Sequence, residues 1–176
     1  MNEVLDAIAK RSSTRGYTEQ KLTKEELDKL IIAGLQAPTA ANEQEIHITV
    51  LNSDNPILDE IEELKNECMG LTNPQNNFYC GAPTVLILSA DASFYWSKVD
   101  AGIAVENIAI AAEGMGLGSL IIGCIKDALH GEKKDYFAKA LMFPAGYEYE
   151  VAIAIGHKAL NKEPHDFEIE RQVTYL

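Results

Sequence analysis

The stretch Ser97-Lys98-Val99-Asp100-Ala101-Gly102-Ile103-Ala104-Val105-Glu106-Asn107-Ile108-Ala109-Ile110-Ala111-Ala112-Glu113-Gly114-Met115-Gly116-Leu117-Gly118 sets the architecture. Ile103, Ala104, Asn107, Ile108, Ala111 and Ala112 share one helical face, while Val105, Ala109 and Ile110 make the opposite side apolar as well. A helix that is apolar nearly all round is a buried one, so residues 98–115 are expected at the centre of the molecule or in an interface. Ser97 and Asp100 form an S-x-x-D start signature, and the glycines at 114, 116 and 118 mark the end.

On the N-terminal side, Val4, Leu5 and Ile8 give a short helix over 3–10, and Ser12, Ser13 and Gly16 break it. Thr23 and Glu26 form a T-x-x-E capping box ahead of Leu27, Leu30, Ile31, Gly34 and Leu35, which predicts a helix over about 24–37 stopped by Pro38. Residues 45–51 alternate and read as a strand with one buried face; 56–69 read as a Glu-rich helix, 70–82 as a loop, and Val85–Leu88 as a buried central strand. Beyond the central helix come a strand over Leu120–Ile125, a helix over 127–142 with Gly131 as its weak point, and a buried strand over Tyr149–Ile155. The charged tail 157–176 ends in Val173–Leu176, which suits a last short strand. Short strands separated by helices imply one α+β or α/β domain, 1–176, with its sheet flanked by helices.

The chain has 176 residues, enough for one sizeable core. Its 15 basic and 27 acidic side chains leave a formal charge of −12, which disfavours nucleic acid and anionic membrane as partners. Against that background the basic cluster Lys10, Arg11 and Arg15 stands out. Cys68, Cys80 and Cys124 are odd in number and have no CxxC spacing, so neither a disulfide framework nor a zinc site is expected; reduced, mostly buried thiols are. No signal peptide and no apolar run of membrane length is visible, and the expected location is the cytoplasm.

Two segments carry candidate chemistry. In Arg11-Ser12-Ser13-Thr14-Arg15 two guanidinium groups flank hydroxyls at a helix end, a donor set suited to phosphate or a carbonyl edge. The same residues would equally serve a solvated turn paired with neighbouring Glu. In Ala37-Pro38-Thr39-Ala40-Ala41-Asn42-Glu43-Gln44, Asn42 and Gln44 can each donate and accept, which suits a polar heterocycle, although a plain helix stop also explains the loop. Phe78–Pro83 leads into the buried strand, and Phe94-Tyr95-Trp96 either walls a pocket or fills core. The glycines at 114, 116 and 118 do not make a dinucleotide fingerprint: Ser119 and Ile121 stand where the third glycine belongs, and the helix-then-strand order is reversed. HExxH, P-loop and G-x-S-x-G motifs are missing from the sequence, and the four histidines are scattered.

Taken in order, these segments resemble the nitroreductase family over nearly the whole chain. The start through Arg11–Arg15 is similar to the family's R-R/H-S-x-R/K element, and Ala37–Gln44 to its A-P-S-x-x-N-x-Q loop. Tyr79–Pro83 is similar to its Y-x-A-P strand entry, Asp100–Asn107 with Gly116–Gly118 to D-x-G-x-A-x-Q-N followed by G-L-G, and Gly156-His157 falls where the family has G-Y. The resemblance implies an α+β sandwich with a central mixed, mostly antiparallel sheet, an interlocked homodimer, and tightly bound, non-covalent FMN at the dimer interface. It implies that Arg11, Ser12 and Ser13 hold the FMN phosphate and ribityl chain and that Arg15 meets the N1/C2-carbonyl edge. Pro38, Thr39, Asn42 and Gln44 would reach the flavin of the other subunit. Ile121, Ile122, Gly123 and Cys124 would cross the flavin face, with the Gly123 N–H near N5. The helix 98–115 would be the central dimer helix. Implied activity is ping-pong transfer from NAD(P)H through flavin N5 to nitroaromatics, quinones or similar flat acceptors, with no catalytic side chain. A flavin sensor or store without turnover, or a flavin-fragmenting or dehalogenating member, are the alternatives. The chain departs from the pattern at His157-Lys158, which replaces Tyr-Pro, and in its C-terminal basic element, for which Lys158, Lys162 and Arg171 are the candidates.

Overall fold

A computed structural model describes residues 2–72 and 74–176. The elements run α1 (Glu3–Lys10), α2 (Lys24–Leu35), a 3-10 turn (Ala40–Asn42), β1 (His47–Asn52), α3 (Ile57–Met69), β2 (Thr84–Asp91), α4 (Ser97–Gly114), β3 (Leu117–Ile122), α5 (Lys126–His130), α6 (Lys134–Ala140), β4 (Tyr147–His157) and α7 (Ile169–Gln172). The four strands form one sheet in the order β1-β2-β4-β3, and every pairing within it is antiparallel. The parallel contribution is a single bridge between Ser13 and Ser119.

Both faces of the sheet are covered, which is why β2 is apolar without alternation. Val85 and Ile87 pack with Ile57, Leu58 and Ile61 of α3 and with Phe137 of α6. Leu86 and Leu88 face the other way, onto Leu30 of α2 and Ala104, Val105 and Ile108 of α4. All four β2 residues are fully buried. Such a run usually signals a parallel sheet; here helices on both sides of an antiparallel sheet produce the same pattern.

The expected helix starts and strand ends differ in instructive ways. The Thr23 capping box is present, with Thr23 N–H donating to Glu26 Oε2 at 2.8 Å and Glu26 N–H to Thr23 Oγ1 at 3.2 Å. The Ser97/Asp100 pair does not cap α4. Trp96 is the N-cap residue, Ser97 Oγ donates to the Asp91 carbonyl at 2.7 Å, and Asp100 is used elsewhere. Gly116, at φ 75°, makes the turn out of α4, so β3 begins at Leu117, three residues earlier than the glycines suggest. Gly131 divides the expected helix 127–142 into α5 and α6. Val173–Leu176 forms no strand; beyond β4 the regular element of the tail is α7. The cysteines are less buried than expected: Cys68 and Cys124 are exposed and Cys80 is half-buried. Among the described residues no helix is long and apolar enough to cross a membrane.

Candidate functional site

The Arg11–Arg15 segment leaves α1 in extended form and docks on the outer edge of β3. Ser13 bridges Ser119, the Thr14 N–H donates to the Ser119 carbonyl at 2.9 Å, and Tyr17 bridges Lys158 beyond. Thr14 is buried against Gly118; a Cβ there would lie 2.7 Å from Thr14 Cγ2 and Oγ1. Side chains alternate along extended backbone, so anchoring Thr14 inward turns Ser13 and Arg15 outward. Among the described residues Arg11 makes one long ion-pair contact, with Glu106 at 3.6 Å, and Ser12 Oγ donates to the backbone carbonyl of Lys162 at 2.7 Å. Arg15 is exposed and, among the described residues, has no carboxylate within ion-pair distance. A free guanidinium is notable in a chain of charge −12.

The segment beyond β3 presents backbone more than side chains. Ile122 is buried, and its carbonyl accepts the Tyr149 hydroxyl at 2.7 Å, so its side chain is unavailable to a ligand. Ile121, Gly123 and Cys124 are exposed, and a Cβ at Gly123 would meet nothing within 4 Å. Although Cys124 as a residue is exposed, partial desolvation of its thiol, like that of Cys80, pushes it up, opposed by Lys65 at the first and by Arg15 at the second. Burial likewise raises the Tyr17 phenol. These groups are therefore held neutral, and neither cysteine is an activated thiolate. Lys65 is buried and paired with Glu62 at 2.8 Å; Glu62 also accepts the Phe78 N–H at 2.9 Å, which ties α3 to the 77–82 turn.

The Pro38–Gln44 loop is strained. Ala41, Asn42 and Gln44 all have φ between 51° and 59°, a left-handed conformation that non-glycine residues rarely hold without support. Support comes from Thr39, whose Oγ1 accepts the Gln44 N–H at 3.0 Å, and from Asp100, whose Oδ2 accepts the Ala40 N–H at 2.9 Å. Asn42 and Gln44 are exposed and touch each other at 3.4 Å. Asp100 was thus legible as a helix cap but acts as a loop anchor, a role no local pattern announces.

The structure joins some of the expected residues and separates others. Arg11–Arg15, Ile121–Cys124 and Lys162 gather at the β3 edge. The Pro38–Gln44 loop precedes β1, the opposite edge of the sheet, and is tied to the start of α4. Of the C-terminal cations, Lys158 is engaged with Glu113 at 2.7 Å, and Lys162 is the one brought beside Ser12. Arg171 lies on α7, whose backbone hydrogen bonds stay within residues 168–173.

Residues 8–157 match the family model described as "Nitroreductase family". The FMN reductase (NADPH) of Bacillus subtilis strain 168 is 28% identical over 172 residues, covering 90% of this chain and 67% of that one. A nitroreductase from Desulfitobacterium hafniense DCB-2, solved with bound FMN, superposes with a TM-score of 0.89 at 28% identity, over 100% of this chain and 99% of the other. An FMN-dependent nitroreductase from Clostridium difficile R20291 does so with a TM-score of 0.84 at 28% identity, over 99% of each chain. With the family pattern matched from α1 to the end of β4 and the fold shared along its whole length, the chain belongs to the nitroreductase family.

Proposed function

We propose that this protein is a homodimeric, FMN-dependent oxidoreductase that takes electrons from NAD(P)H and passes them to nitroaromatics, quinones or similar flat acceptors. The observation that carries the proposal is the unpaired Arg15, held outward by the Thr14–Gly118 contact on the edge strand that leads into the open backbone at Gly123. That donor set fits FMN. Arg11, Ser12, Ser13 and Lys162 suit the phosphate and ribityl chain, Arg15 the electron-rich edge of the ring, and Gly123 leaves room for a flat face. When bound, FMN supplies two-electron transfer between the nicotinamide and the acceptor.

The chain's own contribution is orientation and charge. Arg15 offers a fixed positive charge where negative charge collects on reduction, an effect like that of an oxyanion hole. The thiols and phenol nearby are neutral, and the neighbouring Lys65 and Glu62 are paired with each other. Reductant and acceptor would occupy the same place in turn, a ping-pong order. The dimer follows from the separation of Arg11–Arg15 from Asn42 and Gln44: one chain has two half-sites at opposite sheet edges, and a second copy would complete each. Half-exposed Val4, Leu5 and Ile8 on α1, Ile32 and Leu35 on α2, and Val99 on α4 supply apolar surface for that contact. Oxidation of NADH or NADPH by purified protein loaded with FMN, with menadione or nitrofurazone as acceptor, tests the activity. Bound FMN that neither nucleotide reduces would leave a binding protein without turnover.

A further inference from the structure

Glu45 follows directly on Gln44 and is buried, 7% exposed, and among the described residues neither carboxylate oxygen meets a hydrogen-bond partner. A buried ionised carboxylate without donors is costly enough that the group takes up a proton instead. Its carboxyl faces that of Asp100, itself 2% exposed, and the two cannot both be charged in such surroundings without strong repulsion. Asp100 Oδ2 accepts the Ala40 N–H, so of the two carboxyls Glu45 is the one left without a backbone donor. The other titratable groups facing Glu45 are Glu43 on the same loop and the Tyr147 phenol on β4, and neither offers a cation. Among the described residues no ion pair reaches either carboxylate.

We propose that Glu45 is a positioning residue: as a neutral acid it donates its proton to the Asp100 carboxylate, and this pair clamps the strained Pro38–Gln44 loop in the shape that presents Asn42 and Gln44 to the flavin. Ala40 and Glu45 bracket the left-handed residues, so Asp100 holds the loop from both ends. Losing the proton sets two like charges against each other, and the loop relaxes. Burial and then Asp100 hold the Glu45 carboxyl above the usual carboxylate range. The unfolded chain releases this proton at ordinary carboxylate pH and the folded chain retains it. The stability contributed by Glu45 is therefore fully present at low pH, declines from the ordinary value up to the raised one, and is level beyond.

The flavin part rests on the proposed function, and the test separates the two. Thermal unfolding of the FMN-free protein and FMN affinity are measured from pH 5.5 to 8 for the parent, Glu45→Gln and Glu45→Ala. Gln keeps a neutral donor at every pH. The melting-temperature difference between Glu45→Gln and the parent should open in favour of Gln as pH rises. Between those limits the parent should lose FMN affinity by about tenfold more than Glu45→Gln does, and Glu45→Ala should bind weakly throughout. Parallel pH profiles for the parent and Glu45→Gln would overturn the proposal. A stability difference that opens with pH, in proteins that bind no FMN at any pH, would overturn both the flavin reading and the positioning role while leaving the shared proton itself in evidence.

Discussion

Gly118 lies directly beneath Thr14, close enough that any side chain at 118 would drive Thr14 off the sheet. The contact sets the outward direction of Ser13 and Arg15, and through them the orientation of the proposed phosphate and ring donors. Lys158 Cγ, 2.9 Å from the same imagined Cβ, closes the other side, so the segment cannot simply slide away.

Gly118→Ala is expected to cost about 1–3 kcal/mol of stability, the usual range for overpacking a close contact. It should also weaken FMN binding more than that loss explains, because Arg15 moves. Chemical denaturation and FMN titration of the same preparation check both parts. A variant that loses stability but binds FMN as the parent does would show that Thr14 does not position Arg15.

Arg15→Ala should leave stability within about 0.5 kcal/mol of the parent, since the side chain is exposed and unpaired. FMN affinity should fall roughly 10- to 150-fold, the equivalent of about 1.5–3 kcal/mol for a hydrogen bond to a charged group. Lys162→Ala should weaken binding in the same direction, whereas Lys158→Ala should act chiefly on stability through its Glu113 partner. Isothermal titration of the three variants gives the ranking.

Tyr149→Phe removes the buried hydroxyl that donates to the Ile122 carbonyl. The carbonyl is left without that partner one residue before Gly123, so a loss of about 1–3 kcal/mol is expected. Flavin reduction by NAD(P)H, followed by stopped-flow absorbance, should slow as the Gly123 backbone loosens, with little change in FMN affinity.

The α2 capping box gives a pH signature opposite to that of Glu45. Hydrogen bonds from the Thr23 backbone and hydroxyl hold the Glu26 carboxyl below its usual range. A depressed acid contributes stability above its ordinary value and loses it as pH falls through the native one. Glu26→Gln should therefore flatten the acid side of the melting-temperature profile, and Thr23→Ala should cost about 1 kcal/mol at neutral pH. Thermal scans from pH 3 to 7 check the sign.

Elements whose cause is local could be read from the residues: the Thr23 capping box, the apolar α4 and the Pro38 stop all appear where their patterns place them. Features caused by distant contacts could not. Nothing near Asp100 shows that its partner is Ala40, sixty residues away, and nothing near Thr14 shows that it needs a glycine at 118. The split of residues 127–142 was visible at Gly131 only as weakness, because the turn is fixed by packing of α5 and α6 against α3 and β4. Family resemblance named Arg11–Arg15 and Pro38–Gln44 together. It also implied that the second segment serves the other subunit's flavin; the strand order adds that one chain keeps the two at opposite edges of the sheet.

FMN is proposed to bind this chain through the outward-facing Arg15 edge. The most direct test is titration of FMN into purified, folded protein, followed by visible absorbance and fluorescence, with Arg15→Ala alongside. The expected result is a yellow protein that takes up one FMN per chain, releases it on denaturation, and binds it at least about tenfold more weakly once Arg15 is gone. Well-folded protein with no affinity for FMN, or affinity indifferent to Arg15, would contradict it.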